Sequence, residues 1–134
     1  MKLSSTSERL LTKVHPDLAK VVRRAAAGMA GDLGFVVTCG LRTLEEQKRL
    51  KAAGASRTLR SRHLPGAKTG LSHAVDLAAT LGGKVKWDWP LYAKLAAAMK
   101  AAAKAEKVTI EWGGDWTSFK DGPHFQLPWA KYPG

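Results

Sequence analysis

Acidic residues are scarce in this chain, 11 against 22 lysines and arginines, and the net charge of +11 asks for an anionic partner or a solubility role. Nucleic acid is the generic partner of a chain with a pI near 10.1. The basic residues are nevertheless spread over several segments, and Lys100, Lys104 and Lys107 recur at i, i+4 and i+7 on what reads as a solvated helix face. No specific nucleic-acid partner is expected. Cysteine is almost missing: Cys39 alone excludes an internal disulfide, and within Phe35 to Cys39 it reads as a small buried strand residue. No apolar run approaches the roughly 18 residues of a membrane span, and Met1 to Arg9 lacks the apolar core of a signal peptide. The expectation is a protein without membrane insertion, made and held in the cytoplasm. Repeats are absent, and the one biased tract, Ala96 to Ala105, is a strong helix former.

What is present gives an α+β order. Pro16 opens a helix with Leu18, Val21, Val22, Ala25 and Met29 at helical spacing, ended by Gly31 to Gly34. Phe35 to Cys39 is a β-branched run and hence a strand. Thr43 with Glu46 forms a capping box for a helix from Thr43 to Ala53, closed by Gly54. Residues 55 to 73 read as a long polar loop, the kind that carries function in a small domain. Alternation over Ala74 to Ala78 marks a strand with Asp76 on one face and Val75 and Leu77 on the other. A turn at Gly82-Gly83, a helix from Pro90 carrying Leu91, Leu95, Met99 and Ala102, and a strand over Val108 to Trp112 follow. The final strand sets His124 and Gln126 on one side and Phe125 and Leu127 on the other.

Two segments hold the chemistry: Ser61-Arg62-His63 running on to His73-Ala74-Val75-Asp76, and Asp121-Gly122-Pro123-His124. A hydrolytic zinc takes three nitrogen or oxygen ligands and keeps one position open, where water falls to a pKa of about 7. Two histidines and an aspartate supply such a set, and a carboxylate three residues before the last histidine can take the water's proton. Asp76 inside an apolar strand would be costly if buried unpaired, and a metal partner accounts for it.

These residues resemble the M15 zinc peptidases, a family of D-Ala-D-Ala carboxypeptidases of the VanY type and phage endolysins that cut the L-alanyl-D-glutamate bond of peptidoglycan. The likeness runs through Val14-His15-Pro16-Asp17-Leu18, Gly40-Leu41-Arg42-Thr43-Leu44-Glu45-Glu46-Gln47, Ser61-Arg62-His63, His73-Ala74-Val75-Asp76 and Trp112-Gly113-Gly114-Asp115-Trp116, then Phe119, Asp121, Pro123, His124 and Phe125. It implies a small single domain over residues 1–134, an α+β fold with a short, mainly antiparallel sheet packed with helices, shared with the Hedgehog signalling domain. No separate wall-binding domain is expected, and a monomer is.

By the same resemblance His63, Asp76 and His124 are the zinc ligands. Asp121 is the general base, preferred to Asp115 because it stands three residues before the last ligand. Arg42 holds a substrate carboxylate or the oxyanion, and Ser61 and Trp112 touch substrate, Trp112 and Trp116 lining the cleft or filling the core. The family usually has His and Asp seven residues apart, whereas His63 and Asp76 are thirteen apart, as if Ala67 to Ser72 were inserted. A loop takes such an insertion at little entropic cost. His73, three before Asp76, is the rival ligand; the S-x-H context favours His63. His15, before Pro16, reads as a residue of the helix start. The implied function is a zinc peptidase of peptidoglycan stem peptides, an L-alanyl-D-glutamate endolysin waiting in the host cytoplasm until released to the wall. A D-alanyl-D-alanine carboxypeptidase, or a non-catalytic basic binding domain on the same fold, are the alternatives. The positive charge would then speed encounter with an anionic envelope.

Overall fold

The computed structural model describes residues 1–54, 61–118 and 120–133; Phe119 and the 55 to 60 stretch of the expected polar loop lie outside the described residues. The elements run α1 (Ser5–Leu11), α2 (Pro16–Gly28), β1 (Leu33–Cys39), α3 (Leu44–Ala52), β2 (Ala74–Leu81), β3 (Lys84–Val85), α4 (Trp89–Glu106), β4 (Glu111–Trp112) and β5 (His124–Gln126). Among the described residues the four strand pairings are antiparallel, in the spatial order β1, β2, β5, β4, with β3 folded back onto β2. The connecting Gly82 and Gly83 take φ of 59° and 82°, as a two-residue hairpin turn demands.

Pro16 presets the backbone of the first turn of α2, and His15 caps it by accepting the Asp17 N–H on Nδ1 at 3.1 Å. Leu18, Val21, Val22 and Ala25 are buried, and α2 packs against Leu95, Met99 and Ala102 of α4 over one face of the sheet. Each such leucine withdrawn from water contributes about 1.5–3 kcal/mol. The expected capping box of α3 is present, Thr43 and Glu46 exchanging hydrogen bonds of 3.1 Å each way. In β2, Val75, Leu77 and Ala79 face the core, while Asp76 looks to the opposite side, half-buried. That alternation is what exposes the aspartate to chemistry rather than to packing.

Several expected boundaries move. Helix α2 stops at Gly28, because Met29 already has extended backbone, and the following strand starts at Leu33. Strand β2 runs on to Leu81 because β1 and β3 both pair with its second half. The strand expected over Val108 to Trp112 shrinks to two residues: Lys107 adopts a left-handed φ of 59°, and the Val108 N–H closes α4 by donating to the Ala103 carbonyl at 2.9 Å. Helix α1 was not expected at all. Ser4 caps it, and burial of Ser7 and Leu11 supplies the tertiary support that a seven-residue helix needs. It covers the free edge of β1, where Ser7 Oγ accepts the Val37 N–H at 2.9 Å and Met1 Sδ accepts that of Phe35 at 3.3 Å. Among the described residues, no helix is long and apolar enough to cross a membrane.

Candidate metal centre

Asp76 sits where the register of β2 places Cys39 of β1 on one side and His124 of β5 on the other. Its Oδ1 lies 3.2 Å from His124 Nδ1 and 3.2 Å from His63 Nε2. His63 reaches this centre from a loop pinned to the end of β1: the Arg42 N–H donates to the His63 carbonyl at 2.8 Å, and Ser61 Oγ accepts the His63 N–H at 3.1 Å. The extra residues after Gly66 form a turn of their own, closed by Gly66 N–H to Leu71 O at 2.9 Å and Gly70 N–H to Gly66 O at 2.8 Å. His73 then returns its N–H to the Arg62 carbonyl at 2.9 Å, so the chain leaves and re-enters at one point. The His73 ring faces elsewhere, 5.3 Å from that of His15, and a Cβ on Gly66 would collide with it. Burial and then the Arg62 charge push its pKa down to about 4. His63, not His73, is the histidine brought to Asp76.

The outer nitrogen of each ring in the centre is occupied. His63 Nδ1 lies 2.8 Å from the Gly40 carbonyl, and His124 Nε2 lies 2.8 Å from Gln126 Oε1, while Gln126 Nε2 donates to Glu111 Oε1 at 3.0 Å. Carbonyl oxygens only accept, so both outer nitrogens carry the proton, and in neutral rings the lone pairs fall on the nitrogens facing Asp76. Two lone pairs and a carboxylate oxygen converge there, an arrangement that requires a proton or a cation among them. Without a metal a proton serves: burial disfavours a charged His63, but hydrogen bonds to Asp76 and to Cys39 outweigh it and raise the pKa to about 10. For Asp76 burial alone would act upward, yet with protons on the facing nitrogens the hydrogen bonds with His124 and His63 hold it well below the usual carboxylate range. Two imidazole nitrogens with one carboxylate, each ring braced by a carbonyl oxygen behind it, is a donor set that fits zinc.

Cys39 is a strand residue as expected, the last of β1, but not a buried one. It is half-buried beyond a bulge between Val37 and Cys39, opposite Asp76, and its Sγ lies 3.7 Å from His63 Nδ1. Ligand atoms of Cys39, His63 and Asp76 fall within 4.8 Å of one another, as do those of Asp76, Asp121 and His124. Its contact with His63 is to the nitrogen already bonded to Gly40, behind the ring, and it also accepts from Arg42 Nη2 at 3.5 Å.

Asp121 is delivered by the 3-10 turn Gly113–Asp115. The Asp121 N–H donates to the Gly113 carbonyl at 3.0 Å, and a Cβ on Gly113 would collide with the Asp121 carbonyl oxygen, so the close approach depends on glycine. Burial first, and the Asp76 charge second, push the Asp121 carboxyl up. Asp115 turns to solvent and pairs with Lys100 at 2.8 Å. Arg42 Nη2 stands 3.7 Å from Asp76 Oδ2, and its Nη1 donates to Gln47 Oε1 at 2.7 Å. Trp112 donates Nε1–H to the Gly122 carbonyl at 2.7 Å and stacks on Phe125, whereas the Trp116 ring lies 5.2 Å from that of His124. The first therefore packs on the core, and the second edges the centre. Gln126 was legible in the sequence as a residue on the His124 face, although not as its hydrogen-bond partner. The roles of Gly40, Gly113 and Cys39 left no comparable signal.

Residues 1–127 match the family described as phage L-alanyl-D-glutamate peptidase. The L-alanyl-D-glutamate peptidase of Listeria phage A118 is 39% identical over 92 residues, which are 69% of this chain but only 30% of that one, so the chain spans about a third of that relative. The enzyme of the same name from Escherichia phage T5 is 29% identical over 137 residues, covering 99% of this chain and 93% of its own. Among solved structures, the crystal structure of the Serratia marcescens L-Ala D-Glu endopeptidase ChiX superposes with a TM-score of 0.87 at 42% identity, over 100% of this chain and 95% of that one.

Proposed function

The chain belongs to the phage L-alanyl-D-glutamate peptidase family, and we propose that it is a zinc-dependent endopeptidase cutting the L-alanyl-D-glutamate bond of peptidoglycan stem peptides. The observation that carries this reading is the pair of imidazole nitrogens facing one carboxylate oxygen at 3.2 Å. His63, Asp76 and His124 would hold the metal. When bound, zinc supplies a Lewis acid that brings water to a pKa of about 7 and polarises a peptide carbonyl. Asp121 accepts the proton of the attacking water on its carboxylate and passes it to the leaving amine, a task suited to a carboxyl pushed up by burial. Arg42 holds a substrate carboxylate or the oxyanion that forms from the scissile carbonyl, and Ser61 and Trp112 contact the stem peptide. The biological role is that of an endolysin of phage or prophage origin, a monomer kept in the host cytoplasm and released to the wall.

Mass spectrometry of fragments from purified peptidoglycan tests the bond. New D-glutamyl amino termini are expected; release of terminal D-alanine would make the enzyme a carboxypeptidase. The same preparation should hold close to one zinc per chain, lose activity to a chelator and recover it on zinc addition, and full activity of metal-free protein would remove the metal from the mechanism.

The charge of +11 has its own expected outcome. Exposed charges are screened beyond about 8 Å at physiological ionic strength, so added salt should weaken wall binding and lysis well before it slows cleavage of a small soluble stem peptide. Sequence-specific DNA binding that survives moderate salt would assign the charge to nucleic acid instead.

A further inference from the structure

Two indoles stand in solvent at the start of α4, one of them against the residue that follows Asp121. Trp87 is 64% exposed and Trp89 51% exposed, on the segment that enters α4. Solvated tryptophan is costly, since the indole is largely apolar and its withdrawal from water is favourable. Neither is remote from the chemistry. The Trp89 ring meets that of Trp112 edge-on at 6.4 Å, and a Cβ on Gly122, the residue after Asp121, would stand 3.3 Å from it. The Trp87 ring stacks on Tyr92 at 6.0 Å with planes 8° apart, leaving its other face open, and Tyr92 abuts the same glycine. Gly122, the residue after Asp121, therefore lies against Trp89 directly and is linked to Trp87 through Tyr92.

We propose that Trp89 and Trp87 form a stacking platform for an amino sugar of the glycan strand that carries the stem peptide. This rests on the peptidase reading above and deepens it. In peptidoglycan the L-alanine is amide-linked to the lactyl group of a muramyl sugar, so the sugar sits one residue and one short link from the scissile bond, about 7 Å at extended-chain spacing. An enzyme cutting after that alanine has a pyranose ring brought to its rim by the substrate itself. The axial C–H bonds of such a ring carry partial positive charge and lie flat against the negative face of an indole, whose quadrupole favours that contact. A flat, exposed tryptophan next to the base suits that ligand, whereas a bare peptide needs no such face.

The experiment compares a soluble muropeptide bearing the N-acetylglucosaminyl-N-acetylmuramyl disaccharide with the same stem peptide lacking sugar. Wild-type protein should show a KM about 2- to 10-fold lower for the sugar-bearing substrate, the range one stacked ring pair supplies. Trp89→Ala, Trp87→Ala and Trp89→Leu should lift that KM toward the free-peptide value, with kcat and all free-peptide kinetics unchanged. Trp89→Leu keeps apolar bulk over Gly122 without a flat face, so its agreement with Trp89→Ala separates stacking from packing. Equal changes on both substrates, or none on either, would overturn the platform. Cleavage of neither substrate by wild-type protein would sink the peptidase reading instead. The platform is then read by quenching of indole fluorescence on titration with the peptide-free disaccharide, and absence of that signal overturns it.

Discussion

Asp121→Ala is expected to lower kcat by about 10²- to 10⁴-fold while zinc content and KM stay near those of the parent. The loss is chemical, because the structural work of this residue is done by its backbone: its N–H donates to Gly113 at 3.0 Å and its carbonyl accepts the His124 N–H at 3.2 Å. Neither bond needs the carboxylate. The residual rate would be what the proposed metal, Arg42 and substrate positioning supply without a proton carrier. Near-normal turnover would pass the role to another carboxylate; Asp115, already engaged by Lys100 at 2.8 Å on the surface, would have to leave that pair to take it.

His63→Ala should strip the metal, and His73→Ala should keep it. Two remaining protein ligands hold zinc poorly, and the loss should exceed the roughly 10- to 100-fold that removing a hydrogen-bonded partner of a ligand costs. Both histidines are buried, at 2% and 4% exposure, so both variants lose packing, and zinc must be scored per folded chain with circular dichroism alongside. The contrast between the two is the measurement. Retention in His63→Ala with loss in His73→Ala would move the ligand set to His73, Asp76 and His124 and contradict the 3.2 Å approach of His63 Nε2 to Asp76.

Placing His63, Asp76 and His124 in one group was possible from sequence because strand periodicity and motif context are local signals. Asp76 and His124 face the same way by alternation, and their pairing across β2 and β5 is the register the structure adopts. The thirteen-residue gap still leaves His63 beside Asp76, since the turn after Gly66 closes on itself and returns the chain to Arg62. What stayed hidden depends on backbone trajectory. The Gly40 carbonyl behind His63, the bulge that brings Cys39 to the centre and the clearance at Gly113 are set by tertiary approach, which no spacing encodes. Helix α1 was missed for a related reason: a short stretch begun by Ser5-Thr6-Ser7 is helical only because β1 is there to pack on.

That last contact bears on how the protein behaves in company. β1 is an edge strand of seven residues, four of them Phe35, Val36, Val37 and Thr38, a composition with a strong tendency to recruit further strands. Two of its outward N–H groups, those of Val37 and Phe35, are occupied by Ser7 Oγ and Met1 Sδ, so the first residues together with α1 work as a cover over a sticky seam. Trimming the first residues or displacing them with a bulky fusion would leave the group of His63, Asp76 and His124 intact in each copy while opening that seam to a neighbour. Such preparations would lose material to self-association long before they lost chemistry, and a fusion joined at the opposite end of the chain leaves the cover in place.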